Sequence, residues 1–260
     1  MSILIDDVSF SYGAHEVLGH VSARIETGEL VCVLGPNGVG KSTLFRCILA
    51  LEEGFSGRIE VDGRDVRACG PRARSHIVSF VPQAHHSVYD YDVLDMVLMS
   101  TAADISAFGT PSKRQRVRAW EALERVGIAH LAHRSVTRIS GGELQLVLIA
   151  RALAQNARTI VMDEPTSALD YGNTVRVLGC VRQLARDGYT IIQSTHQPDQ
   201  VFLYGDKVLA LLDGGVRAFG APHEVVTPEL IADLYGVDVK IRSLFEDRVR
   251  VCVPALEIDR

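Results

Sequence analysis

The sequence predicts an α/β protein with a mainly parallel sheet, an antiparallel β flank and an inserted α-helical subdomain. Up to Val61, short β-type runs alternate with turn residues, as they do in an antiparallel sheet. Later β-type runs are separated by helical patterns, which is typical of parallel β-α units. Between Gln83 and about Ser140 the helical pattern contains no convincing strand. These three observations together carry the prediction.

The elements follow in chain order. The early strands are predicted at residues 3–5, 8–10, 21–25, 30–34 and 58–61, and a helix at residues 43–51. Strands are then predicted at residues 77–81, 159–162, 190–194 and 208–212, and helices near residues 93–101, 116–126 and 144–154. The tail is predicted to form a short helix at residues 230–235 and a β-like segment at residues 249–253.

Composition restricts the class of protein. The chain has 260 residues, of which 47% are hydrophobic and 23% charged, so it can bury the core of one large domain. No apolar stretch approaches the roughly 18 residues that span a bilayer, and the acidic N-terminus lacks a signal-peptide pattern, so we expect a cytosolic chain. Five widely spaced cysteines predict buried thiols rather than disulfides or a zinc site.

The charge pattern argues against nucleic acid as a partner. The net charge is −5, whereas a general nucleic-acid binder is basic. Residues 113–118 form a local basic cluster, which we interpret as a solvated helix face. The pair His85 and His86 is interpreted as surface residues rather than metal ligands.

A glycine-rich segment directly after the apolar run at residues 30–34 predicts a phosphate-binding loop. Its glycines let backbone N–H groups converge on phosphate oxygens, and the following helix directs its positive end at the same charge. Lys41 would reach the β- and γ-phosphates of a nucleoside triphosphate, and the Ser42 hydroxyl would ligate Mg²⁺. The segment indicates a P-loop NTPase core and consists of Gly35, Pro36, Asn37, Gly38, Val39, Gly40, Lys41, Ser42 and Thr43.

A second acidic feature follows the predicted strand at residues 159–162. Asp163 and Glu164 come at its carboxyl end, where open α/β sheets place their ligands. Neighbouring strand residues point to opposite faces, so the two acids need not share a role. Asp163 suits Mg²⁺, directly or through water, and Glu164 suits a general base that activates the attacking water.

The turn at Ser140, Gly141, Gly142 and Glu143 resembles the signature motif of ATP-binding cassette (ABC) ATPases, usually Leu-Ser-Gly-Gly-Gln. Other motifs of that family follow the expected order along nearly the whole chain. They are the adenine-stacking aromatic (Tyr12), the Q-loop glutamine (Gln83), the D-loop aspartate (Asp170) and the switch histidine (His196). Taken alone, Tyr12 would more often be a turn aromatic, and its position upstream of the phosphate loop favours the stacking role.

The resemblance implies that two copies of the chain meet head to tail around ATP. Each copy would offer its phosphate loop to one side of ATP and its signature turn to the other, and one set of motifs per chain implies a homodimer. Ser140 and the amides of Gly141 and Gly142 would hold the γ-phosphate bound by the partner copy. His196 would contact that phosphate within its own chain, and Gln83 would touch Mg²⁺ or the attacking water.

Glu143 departs from the usual glutamine of the signature. It brings a negative charge to the γ-phosphate site that the resemblance implies, and ATP binding there is expected to be somewhat weaker. Ser140 and Glu143 have the spacing of a capping box, in which either Glu or Gln can bond the cap residue's backbone N–H. We therefore expect the turn itself to be preserved.

The resemblance extends to ATPase subunits of importers for ferric siderophores, haem and vitamin B12, and to related molybdate or tungstate systems. Such systems combine two ATPases, two polytopic permease subunits and an extracytoplasmic binding protein, so the chain is expected at the cytoplasmic face of the membrane. The core is expected at residues 1–83 and 150–227, the helical subdomain with the signature at residues 84–149, and a C-terminal extension at residues 228–260.

Other classes remain open on the sequence alone. A non-transport cassette protein acting on ribosomes or DNA usually has two cassettes, a long coiled coil or a basic surface. An exporter ATPase is often fused to membrane helices. A nucleotide-binding module that signals without turnover would lack the catalytic acid, whereas Glu164 is present. The solute is read by other subunits and is barely constrained here.

Overall fold

The computed structural model describes residues 2–83, 90–104, 109–246 and 249–255. The His85 and His86 pair therefore lies outside the described residues. The chain forms two compact units, the first made of Met1–Arg67 together with Thr190–Arg260, and the second of Ala68–Tyr189.

An antiparallel sheet opens the first unit. Its strands are β1 (Ile3–Tyr12), β2 (His15–Ile25), β4 (Ser56–Val61) and β5 (Arg64–Asp65), in the spatial order β2-β1-β4-β5. The two runs predicted at residues 3–5 and 8–10 form one continuous strand instead. The register shifts between Ile5 and Val8, where Asp7 has a left-handed φ of 52°, so a bulge carries the strand across residues 6 and 7.

A mainly parallel arrangement of strands forms the centre of the first unit. The strand β3 (Leu30–Leu34) pairs in parallel with β8 (Thr190–Thr195) and with β9 (Lys207–Leu212), and β10 (Gly215–Gly220) pairs antiparallel with β9. All five residues of β3 are buried, which explains why its sequence is a continuous apolar run. Helix α1 (Lys41–Ile48) follows the loop after β3.

The remaining elements of the first unit lie C-terminal to β8. They are α7 (Pro198–Tyr204), α8 (Pro222–Val225), α9 (Pro228–Tyr235), β11 (Val239–Leu244) and β12 (Val249–Pro254). The last two pair as an antiparallel hairpin. The backbone N–H of Cys252 in β12 donates to Asp199 Oδ1 of α7 at 2.7 Å, which fastens this hairpin to the unit.

The second unit combines two parallel strands with a set of helices. Its strands are β6 (Val78–Val81) and β7 (Thr159–Met162). Its helices are α2 (Pro71–Ser75), α3 (Val93–Leu98), α4 (Lys113–Arg125), α5 (Gly141–Ala154) and α6 (Tyr171–Arg186), with short 3-10 turns at Met99–Asp104, Ala129–Leu131 and Val136–Arg138. Within the described part of residues 84–140, strand-type pairing is limited to one isolated bridge between Asp92 and Ser135, as expected.

Helix α3 begins at Val93 as predicted, whereas other helices begin before the apolar pattern that indicated them. Helices α5 and α1 begin at Gly141 and Lys41, before the apolar patterns at residues 144–154 and 43–51, and the start of α5 is the one that the capping-box spacing implies. Apolar periodicity detects the face of a helix that packs, whereas its first turn here is made of glycines and polar residues. The basic cluster lies in the first turns of α4, where Lys113, Arg114 and Arg116 are exposed, as the solvated-face interpretation predicts.

All five cysteines fall within the described residues and are free thiols. Cys32 and Cys47 are buried, but Cys69, Cys180 and Cys252 are only half-buried, so the prediction of uniformly buried thiols was wrong for these three. Burial raises the pKa of Cys47 to about 12 and that of Cys180 to about 11, which keeps both as thiols at neutral pH. In the described residues, no helix has the length and apolar character to cross a membrane.

Candidate nucleotide site

At two positions of the loop between β3 and α1, neighbouring residues lie so close to the loop backbone that only glycine fits. A Cβ on Gly35 would lie 2.6 Å from the carbonyl oxygen of Leu211, and a Cβ on Gly40 would lie 2.9 Å from both Val17 O and Leu18 Cδ2. Gly40 also has a φ of 106°, which side-chain-bearing residues rarely adopt. The glycines thus allow the loop to fold tightly over the end of β3.

The first turn of α1 is open to an anion. Gly40 is the N-cap and supplies no side-chain acceptor, so the first N–H groups of the helix have no capping side chain. Lys41 is 5% exposed, and its ammonium donates to the carbonyl oxygens of Gly35 at 2.7 Å and Pro36 at 2.9 Å. Ser42 is exposed beside it. An ammonium, a helix N-terminus without a capping side chain and a hydroxyl are therefore collected at one helix end.

A cavity of about 420 Å³ lies against this loop. It is lined by residues 36–39 of the loop, residues 15–17 of β2 and residues 212–214 of the turn between β9 and β10. Tyr12 pairs with His15 across the β1–β2 hairpin, and its side chain is 44% exposed. The aromatic expected to stack on a base therefore belongs to the hairpin that borders the cavity.

His196 follows the strand next to β3. Leu34 and Thr195 are paired neighbours at the carboxyl ends of β3 and β8, so the phosphate loop and His196 leave the sheet side by side. The Thr195 hydroxyl donates to Gln200 Oε1 at 2.9 Å and accepts from Gln197 N–H at 3.1 Å. These bonds hold the turn that carries the exposed His196 ring.

In the second unit, parallel pairing of β6 with β7 brings the Q-loop glutamine beside the acidic pair. The N–H of Asp163 donates to Val81 O at 2.9 Å. The Gln83 amide donates to Ser167 Oγ at 2.8 Å, and the Ser167 hydroxyl donates to Glu164 O at 3.2 Å. Ser167 therefore links the segments after β6 and β7.

Glu164 has an unusual backbone. Its φ is 43°, in the left-handed region, and Pro165 follows it, which is a restrictive neighbour for any residue. Such a conformation costs on the order of 1–3 kcal/mol and is typical of functional sites. Its side chain is half-buried.

The signature turn forms the capping box expected from its sequence. Ser140 is the N-cap of α5, and its Oγ accepts from Glu143 N–H at 3.3 Å. Glu143 Oε2 accepts from both the backbone N–H and the hydroxyl of Ser140, each at 2.8 Å. These hydrogen bonds, assisted by the charges of Arg134 and His130, lower the pKa of the Glu143 carboxyl from its ordinary value.

The signature turn also packs against the D-loop within the second unit. A Cβ on Gly142 would lie 2.3 Å from Asn173 Oδ1, whereas a Cβ on Gly141 would be at 3.7 Å from Leu169 Cδ2, an ordinary contact. Asp170 is the N-cap of α6, accepting from Asn173 N–H at 2.8 Å and from its side-chain amide at 2.9 Å. Asp170 therefore fixes the side chain that Gly142 accommodates.

The structure places the predicted site residues in two groups. The phosphate loop, Tyr12 and His196 belong to the first unit, whereas the Q-loop glutamine, the acidic pair, the signature turn and Asp170 belong to the second. Sequence reasoning missed Asn173, although its spacing after Asp170 is that of a helix-capping pair. It also missed Arg46 and Glu52, which contact Tyr12, and no local sequence pattern identifies those contacts.

Comparison with known proteins decides the family. The family described as ABC transporter matches residues 18–167. The chain belongs to the ABC transporter family. It is an ATP-binding cassette with ATPase activity of the ABC type, in agreement with the motifs described above.

The relatives of this chain include import ATP-binding proteins. The cobalamin import ATP-binding protein of Halobacterium salinarum is 36% identical over 96% of this chain, which spans only 60% of that protein. The hemin import ATP-binding protein of Thermobifida fusca is 36% identical, with 91% of this chain and 82% of that protein covered. The molybdate import ATP-binding protein of Haemophilus influenzae is 35% identical, with 90% and 88% covered.

A solved structure extends the likeness to the fold of the whole chain. A chain described as part of an inward-facing metal-chelate type ABC transporter aligns with a TM-score of 0.87 and 32% identity, covering 98% of both chains. The α/β fold with its antiparallel flank and helices is therefore that of an ABC ATPase.

Proposed function

We propose that this chain is the ATP-hydrolysing subunit of a membrane importer that takes up a metal chelate, such as a ferric siderophore, haem or cobalamin. The observation that carries this proposal is the likeness over nearly the full length to a metal-chelate type transporter. Cobalamin and hemin import proteins among the relatives support the same solute class.

The proposed assembly contains two copies of the chain and two polytopic permease subunits, supplied by an extracytoplasmic binding protein. The chain would act at the cytoplasmic face of the membrane and be held there by the permease. A homodimer is required by the proposal because each chain carries one phosphate loop and one signature turn. The helical segment at residues 84–149 is proposed to form the subdomain that meets the permease.

We assign nucleotide binding to the predicted site residues. The triphosphate would bind the amides of the phosphate loop and Lys41, and the base would stack on Tyr12. Ser140, Gly141 and Gly142 would complete the site on the partner copy, with Asp170 holding the D-loop beside them. Glu143 would modulate that contact through its charge.

The residues present fit Mg²⁺ in their chemistry. Ser42, Asp163 and Gln83 carry hydroxyl, carboxylate and amide oxygens, the hard donors that Mg²⁺ prefers. The bound ion would neutralise charge on the β- and γ-phosphates. A cluster of three or more His, Cys, Asp or Glu that could hold a metal without the nucleotide is not found in the described part of the chain.

Hydrolysis is assigned to Glu164 as general base. Its carboxylate would take a proton from water as the water oxygen attacks the γ-phosphorus and ADP leaves. His196 would contact the γ-phosphate, and Gln83 would orient the water. We expect Glu164→Gln to bind ATP and to accumulate the closed dimer while hydrolysis falls by roughly 10²-fold or more. Near-normal phosphate release from this variant would reassign the base.

Molybdate or tungstate is the second candidate solute class, and the molybdate import relative favours it. Reconstitution of the chain with its permease and binding protein in proteoliposomes tests both. ATP-dependent uptake of a metal chelate supports the proposal. Uptake of the oxyanion and not of the chelate would make molybdate or tungstate the solute class instead. ATPase activity that responds to ribosomes or DNA, and never to the loaded binding protein, would contradict the importer assignment.

A further inference from the structure

Tyr12, at the end of β1, is hydrogen-bonded to Arg46 of α1 and to Glu52 of the segment that follows this helix. Its hydroxyl donates to Glu52 Oε1 at 2.9 Å and accepts from Arg46 Nη1 at 3.3 Å. Arg46 and Glu52 also approach each other at 4.0 Å. One phenol oxygen thus joins the β1–β2 hairpin to the end of α1.

The segment that carries Glu52 is itself fixed to α1. The backbone N–H groups of Leu51 and Glu52 donate to the carbonyl oxygen of Arg46 at 2.8 Å and 3.3 Å. Phe10, two residues before Tyr12 on the same strand, packs against the Tyr12 ring edge to face, with ring centroids 4.8 Å apart and planes at 86°. The ring is therefore held at its hydroxyl and along its side, while 44% of the residue stays exposed.

We infer that Glu52 and Arg46 are positioning residues that hold Tyr12 ready to stack on the adenine base, an inference that rests on the nucleotide site proposed above. A side chain fixed before binding loses less rotamer freedom when the ligand arrives. Helix α1 begins at the phosphate loop and ends at this brace. The same helix consequently positions the triphosphate at one end and the base platform at the other.

A double-mutant cycle tests the brace on the purified full-length chain. Tyr12→Phe removes the hydroxyl and keeps the ring, and Glu52→Ala removes the acceptor. Each change is expected to raise the ATP dissociation constant about threefold to fivefold, measured by displacement of a fluorescent ATP analogue. The ATP dissociation constant of the double variant is expected to be no higher than the higher of the two single-variant values, because both changes break the same hydrogen bond.

Two controls separate the brace from a general structural effect. Glu52→Gln keeps an oxygen acceptor for the Tyr12 hydroxyl and is expected to restore most of the affinity. Glu53→Ala removes the adjacent exposed carboxylate and is expected to leave ATP affinity unchanged. Inorganic tripolyphosphate lacks a base, so its dissociation constant is expected to be the same in the wild type and in all five variants.

The outcomes separate failure of the brace from failure of the proposed site. Additive losses in the cycle, or an equal loss of tripolyphosphate binding, would show that Glu52 acts on the loop or on stability, and would overturn the inference. A Tyr12→Ala variant that binds ATP as tightly as the wild type would overturn the stacking role of Tyr12 itself. A large loss with Tyr12→Ala and no loss with Glu52→Ala would retain the platform and reject the brace.

Discussion

The N-termini of α1 and α5 are two glycine-containing helix ends that the chain prepares in opposite ways. At α1, Gly40 leaves the first turn without a side-chain cap, and an ammonium lies beside it. At α5, Ser140 and Glu143 cap the first turn, and the carboxylate of Glu143 accepts hydrogen bonds from both the hydroxyl and the backbone N–H of Ser140. One end is open to an anion, and the other is already occupied by an anionic side chain.

The difference indicates an order of events at the proposed site. A helix end without a capping side chain, with a cation nearby, can bind a phosphate without first releasing a cap. The capped end has to release the Ser140 hydroxyl from Glu143 before that hydroxyl can donate to a γ-phosphate. ATP is therefore expected to bind the phosphate loop first, and the signature turn to engage afterwards at a cost set by Glu143.

Removing one polar side chain from the N-terminal end of α1 and one from that of α5 should produce the largest difference in ATP binding between two variants. We expect Lys41→Ala to weaken ATP binding to the purified chain roughly 30-fold or more, because charge-assisted bonds to phosphate are lost. Ser140→Ala should leave the ATP dissociation constant of the isolated chain within about twofold but lower turnover of the reconstituted transporter about tenfold or more. Equal losses of binding in the two variants would contradict the proposed order.

The two signature glycines allow a sharper test within one helix end. Gly142→Ala brings a Cβ to 2.3 Å from Asn173 Oδ1, while Gly141→Ala meets only an ordinary contact. We expect Gly142→Ala to lower turnover about tenfold and the melting temperature by about 3 °C. Gly141→Ala should have the same melting temperature as the wild type. Scanning calorimetry of the two proteins side by side would reject this packing argument if they melted alike.

The charge of Glu143 should have the smallest effect. Glu143→Gln keeps the capping geometry and removes the anion, so we expect turnover of the reconstituted transporter to reach half-maximum at a twofold to fivefold lower ATP concentration. Glu121→Gln on α4 changes the net charge equally and serves as the matched control. If the two variants responded identically, the local charge would be irrelevant.

The same variant has a defined pH dependence. The pKa of Glu143 is lowered in the folded chain, mainly by its hydrogen bonds to Ser140. Its contribution to stability is therefore present above the ordinary carboxyl pKa and is lost as the pH falls through the lowered value. The stability advantage of the wild type over Glu143→Gln should be found at neutral pH and disappear in acid. Thermal melts across this range would measure it.

Local sequence was sufficient where one short pattern defines one element. Strands β3 and β7 have the predicted bounds because each is a buried apolar run followed directly by predicted site residues. The capping box at Ser140 followed from a three-residue spacing. By contrast, β11 and β10 were missed, and their residues are mostly half-buried or exposed rather than part of a buried apolar run.

The sequence by itself determined the family, the order of the motifs and the chemical type of each site residue, because these depend on residue identity and spacing. Only the tertiary structure decided that Leu34 pairs with Thr195, that Gln83 is bonded to Ser167 and that Arg46 and Glu52 hold Tyr12. Such contacts join residues far apart along the chain. Their partners are selected by strand register and by the packing of whole elements, which no local pattern encodes.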